Sequence, residues 1–181
     1  MKGLRVSLSV AIALAVCVVS AMAWASESSP PAVGAKAPDF TLKDGEGAAF
    51  TLSASVRSGP VVVVFFSKAF TKASIRQWEG LREAAPSLAK AGVQLVGMST
   101  DSMSTLKRFA AAHRLPFRLL SDGTGEVSER YGAIYGFAKR RVTAQKAVVV
   151  GTEQTILYRD ERYEAKTPSD LRALLRAAGV K

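Results

Sequence analysis

Cys17 and His113 are the only cysteine and the only histidine of the chain, and they are its most obvious reactive groups. A thiolate could attack a peroxide or a disulfide, and an imidazole could act as general base or metal ligand. Their positions argue against both uses. Cys17 lies in an apolar run from Val6 to Val19, behind Lys2 and Arg5 and ahead of Ala21-Met22-Ala23 and Ala23-Trp24-Ala25. Those are the basic start, apolar core and A-x-A cleavage sites of a secretory signal peptide, so the thiol is expected to leave with it. His113 closes a predicted helix beside Arg114 and Leu115-Pro116, which makes it a surface or helix-terminal residue. With no thiol left and one histidine, a metal could draw only on carboxylates, and Asp160-Glu161 with Glu164 reads as a solvated turn balanced by Arg159, Arg162 and Lys166. Asp101 is expected to serve a turn or cap, and Trp78 and Met98 to fill the core. Gly-rich phosphate loops are absent, so neither a metal nor a cofactor is expected.

The elements that must carry any site begin after residue 25. The apolar run is shorter than the ~20 residues that span a bilayer, and Ser26-Glu27-Ser28-Ser29-Pro30-Pro31 is a polar tether rather than a stop-transfer flank. A lipoprotein reading through Leu14-Ala15-Val16-Cys17 is disfavoured by the bulk of Val16 and by the apolar residues that continue past it. The organisation read from the sequence is a signal peptide over residues 1–25, a polar tether over 26–35 and a single domain over 36–181. The formal net charge of +10 favours acidic partners or anionic lipid headgroups. Export and the scattered placement of the basic residues argue against nucleic acid.

Within the domain, Ala37 to Leu42 and Ala49 to Leu52 around the Asp44-Gly45-Glu46-Gly47 turn predict an edge hairpin. Val61 to Phe66, β-branched and aromatic without polar alternation, predicts a strand buried on both faces. From Thr71 to Gly92, apolar residues at three- and four-residue steps (Ile75, Trp78, Leu81, Ala85, Leu88) predict a helix, which Pro86 should weaken or kink. A strand over 93–98, a helix over 103–113 and a strand over 117–120 complete a βαβαβ unit. A short helix from Gly125 to Tyr131 should stop at Gly132. An antiparallel pair, 146–150 with 155–159, and a closing helix over 168–178 with Pro168 near its first position follow. The expected fold class is α/β: a thioredoxin-like single domain with a central mixed sheet flanked by helices.

Four segments then carry a resemblance: Val33-Gly34-Ala35-Lys36-Ala37-Pro38-Asp39-Phe40-Thr41-Leu42, Val61 to Phe66, Leu115-Pro116-Phe117-Arg118-Leu119-Leu120-Ser121-Asp122, and Gly125-Glu126-Val127-Ser128-Glu129-Arg130-Tyr131-Gly132. In this order and at these separations the chain resembles the peroxiredoxins of the AhpC/TSA redoxin family, most closely the bacterioferritin-comigratory-protein type, from Val33 to Ala178. The resemblance implies an antioxidant hydroperoxide reductase whose T-P-x-x-C motif opens the helix after the buried strand. Here that stretch is Thr71-Lys72-Ala73-Ser74: Lys72 replaces the proline and Ser74 the peroxidatic cysteine. A resolving cysteine five residues on would fall at Glu79, and the family arginine maps to Gln145, with Arg140 and Arg141 nearby.

Serine cannot stand in for the thiol. A cysteine pKa of ~8.5 falls at a helix N-terminus beside a cation, and the resulting thiolate gives a sulfenic acid on attack. A hydroxyl stays protonated there and has no stable counterpart to that acid. An activated Ser74 would need an adjacent base, and His113 belongs to another helix. Two function classes stay open: a non-catalytic binding or regulatory protein whose partner is an unknown protein or a small anion, and an antioxidant oxidoreductase working by a non-cysteine route. For the first, Thr71, Lys72 and Ser74 at a helix N-terminus, with Lys139, Arg140 and Arg141 folded over it, form a candidate anion site. The alternative is that Thr71 and Ser74 only cap the helix.

Overall fold

Valine-rich segments set the architecture. A computed structural model describes residues 29–135, 142–163 and 168–179. Strand β3 (Val61–Phe65) is buried at every position, and its side chains alternate between two cores. Val61, Val63 and Phe65 enter one, packed with Phe40, Phe50 and Tyr131; Val62 and Val64, with Phe66 after the strand, enter the other, packed with Trp78, Leu81 and Phe109. Only a strand covered on both faces uses apolar residues in an unbroken run.

The remaining elements assemble around it as β1 (Thr41–Asp44), β2 (Ala49–Thr51), a short α1 (Leu52–Ser55), α2 (Lys72–Lys90), β4 (Gln94–Ser99), α3 (Met103–Ala112), β5 (Arg118–Ser121), α4 (Glu126–Arg130), β6 (Ile134–Tyr135), β7 (Val142–Thr143), β8 (Lys146–Val150), β9 (Ile156–Asp160) and α5 (Pro168–Ala177). A seven-stranded sheet runs β2-β1-β5-β4-β3-β8-β9. The β3-β4 and β4-β5 pairs are parallel, while β1-β2, β1-β5, β3-β8 and β8-β9 are antiparallel. This is the expected mixed thioredoxin-like sheet in one domain, with helices packed on it.

The structure moves several boundaries. The first strand starts at Thr41 rather than Ala37, because Gly34 to Ala37 is taken up elsewhere. The Gly34 amide donates to Ile156 O, the Ile156 amide to Ala35 O and the Ala37 amide to Gln154 O, with a bridge between Lys36 and Thr155. Part of the segment expected as a tether therefore lies along β9, where Arg159 also donates to Pro31 O at 2.6 Å. Helix α2 stays continuous through Pro86. The two-residue strands β6 and β7 form a separate ribbon that the sequence pattern did not indicate. Gly132 adopts φ +64°, the left-handed stop expected of it. Residues 1–25, expected to be a signal peptide, lie outside the described residues, as do Lys139, Arg140, Arg141, Glu164 and Lys166. Among the described residues no helix is long and apolar enough to cross a membrane.

Candidate functional site

At the carboxyl end of β3 the chain turns through Ser67 to Phe70 into α2. Asp101, from the loop after β4, holds this turn: its Oδ2 accepts from the Ala69 amide at 2.7 Å and the Ser99 hydroxyl at 3.0 Å. Its Oδ1 lies 3.2 Å from Lys68 Nζ, which also donates to Thr100 Oγ1 at 3.2 Å. The Ser121 hydroxyl donates to Asp101 O at 2.7 Å, fastening the same loop to β5. Asp101 thus serves as a cross-loop tie, and Ser102 is the residue that caps α3. The sequence signal, an aspartate in Ser99-Thr100-Asp101-Ser102, points to a local turn and not to a partner 32 residues away.

Thr71 is the N-cap of α2, with its Oγ1 accepting from the Ser74 amide at 3.2 Å. Its hydroxyl proton faces two acceptors, Ser74 Oγ at 2.9 Å and Lys68 O at 3.1 Å. Ser74 is fully buried, whereas Lys72 is exposed to solvent. Capping is therefore what Thr71 does here, satisfying a helix amide that would otherwise lack a partner. Arg140 and Arg141, which would complete the candidate anion site, lie outside the described residues.

No base reaches the Ser74 hydroxyl: among the described residues its side chain bonds to Thr71 alone. His113 is the C-cap of α3, half-buried, with its ring 4.8 Å from that of Phe109 and 6.3 Å from that of Phe70. Its Nδ1 lies 3.7 Å from Glu79 Oε1. Glu79 thus faces the neighbouring helix. Trp78 and Met98 are fully buried core residues.

Gln145 sits just before β8 and lines a cavity of about 280 Å³ with Ser67, Tyr135, Ala144, Glu161 and Arg162. Neither Thr71 nor Ser74 lines this cavity. Glu161 accepts from Lys146 and from Arg159 at 2.7 and 2.9 Å. Partial burial raises its carboxyl pKa, but the hydrogen bonds and charges of Lys146 and Arg159 outweigh that and hold it below the ordinary glutamate value.

The segments that carried the resemblance build the scaffold. Tyr131 OH donates to Pro38 O at 2.7 Å, and its ring packs on Phe40 and Phe65. Asp122, buried, accepts from the Ser128 amide at 2.7 Å and fixes α4.

The model of the AhpC/TSA family matches residues 33–159. The chloroplastic peroxiredoxin Q of Sedum lineare is 39% identical over 99 residues, 55% of this chain and 53% of that protein. The peroxiredoxin Bcp of Escherichia coli (strain K12) is 39% identical over 104 residues, 58% of this chain and 66% of its own length. The chain therefore spans about half the length of the plant relative. The crystal structure of peroxidoxin BcpB from Mycobacterium tuberculosis superposes with a TM-score of 0.76 at 25% identity, covering 82% of this chain and 97% of that one.

Proposed function

This chain belongs to the AhpC/TSA family, and from that premise we propose that it is a redoxin that binds a partner or ligand and does not turn over peroxide. The observation that carries the reading is the buried Ser74 hydroxyl, bonded to Thr71, where the family resemblance places the peroxidatic thiol. A protonated hydroxyl in that place cannot supply the nucleophile or be oxidised to a sulfenic acid and returned. No residue beyond Cys17 could replace it by another thiol. The signal-peptide pattern supports export, to a periplasm or as a secreted protein, and the net positive charge suits an acidic partner.

Peroxide consumption tests the reading directly. Purified protein supplied with hydrogen peroxide or an organic hydroperoxide, and with thioredoxin or dithiothreitol as donor, should show no turnover above a metal-free buffer control. Sustained turnover would overturn it in favour of an antioxidant oxidoreductase working by a non-cysteine route.

A further inference from the structure

We propose that the polar cavity beside Gln145 binds a small carboxylate, with the Arg162 guanidinium as its charged anchor. Its walls come from fixed elements. Phe65 pairs with Lys146 across β3 and β8, which brings Ser67, leaving β3, to the same end of the sheet as Gln145, entering β8. Tyr135 pairs with Val142 in the β6-β7 ribbon, and the Ala144 amide donates to Ala133 O at 2.9 Å, so that wall is hydrogen-bonded in place. The Arg162 amide donates to Asp160 Oδ1 at 2.9 Å, which sets the turn that carries Arg162.

The chemistry of the lining selects an anion. Ser67, Tyr135, Gln145 and Arg162 all line the cavity, and among the described residues none of their side chains is hydrogen-bonded or ion-paired, so two hydroxyls, an amide and a guanidinium are at hand for a ligand. Glu161, the one carboxylate of the lining, is matched by both Lys146 and Arg159, which offsets its repulsion of an arriving anion. A planar guanidinium fork binds a carboxylate through two parallel hydrogen bonds, and the amide and hydroxyls can donate to the remaining lone pairs. Ala144 and Tyr135, also in the lining, can offer a short alkyl chain apolar surface to lie against.

This inference deepens the binding role proposed above and rests on it. The test is a chemical-shift titration of the unmodified protein with sodium butyrate, and separately with inorganic phosphate, at fixed pH and ionic strength. Butyrate should give saturable shifts centred on Ser67, Tyr135, Gln145 and Arg162 and should bind more tightly than phosphate. Arg162→Ala should weaken butyrate by roughly tenfold, the scale of one charge-assisted contact. Arg162→Lys, which keeps the charge and loses the fork, should weaken it less. Gln145→Leu provides an independent variant on a different element and should also weaken binding. Unsaturable shifts, shifts confined to Thr71 to Ile75, tighter binding of phosphate, or a curve unchanged in both Arg162→Ala and Gln145→Leu would overturn the proposal. Peroxide turnover would overturn the binding role alone, whereas a flat titration without turnover would overturn the carboxylate site alone.

Discussion

Thr71 and Ser74 are separated by one helical turn and share a hydrogen bond, yet their consequences differ. Thr71 is a cap, so Thr71→Ala should cost about 1 kcal/mol of stability by chemical denaturation, while Thr71→Ser should restore most of it. Ser74 sits where chemistry would start. Ser74→Cys should yield a thiol that alkylating reagents modify slowly in the folded protein, because the position is buried, and fully once it is unfolded, as read by mass, but family-like peroxidase rates should not return while Lys72 and Gln145 remain. Recovery by that single change would show that the rest of the pocket is intact. Asp39 offers a test of the scaffold. Partial burial raises its pKa, but hydrogen bonds from Ser53 and the Phe40 amide, with the nearby Arg130 charge, hold it below its ordinary 3.8. Its contribution to stability is thus fully present above 3.8 and is lost as pH falls through the lower folded-state value. Asp39→Asn should therefore flatten the acid limb of a stability-versus-pH curve and leave its shape near neutrality unchanged.

Helix α2 reaches its position because the sheet beneath it has a gap at Gly97. A Cβ there would stand 2.5 Å from both Leu119 Cδ2 and Trp78 Cζ2. Gly97→Ala should cost about 1–3 kcal/mol in urea denaturation, since a packed core accepts an added methyl only by displacing fully buried Trp78. An unchanged midpoint would mean that the indole can shift. The same pair shows what the sequence could and could not convey. The unbroken Val61 to Phe66 run and the helical spacing of Trp78, Leu81 and Leu88 announce two packed layers, and the parallel core follows from them. Contacts that join distant positions leave no periodic trace. Asp101 binding Ala69 looks like an ordinary turn aspartate in one dimension, and β6 with β7 is too short for a period to develop. At the candidate site, the loss of the thiol is legible in four consecutive residues. The cavity beside Gln145 is not, because its lining comes from four separate stretches of chain.

At the scale of the molecule, what the family shares with this chain is architecture: Pro38, Phe40, Asp122 and Tyr131 tie the domain together, whereas the changes that the resemblance implies, at Lys72, Ser74 and Gln145, fall on chemical positions. The export proposal is tested at the same scale. Secreted protein should begin at Ser26 or Trp24 and carry no lipid, as read by N-terminal sequencing and intact mass; an acylated Cys17 at the N-terminus would contradict it. The strand-like segment Gly34 to Ala37 has another effect. By engaging the main chain of Gln154 to Ile156 it occupies hydrogen-bonding groups that would otherwise be free to pair with another molecule. Covering that edge should guard against self-association. A chain shortened to begin at Pro38 should retain its helical circular-dichroism signal yet show concentration-dependent light scattering, which the full-length protein at the same concentration should not.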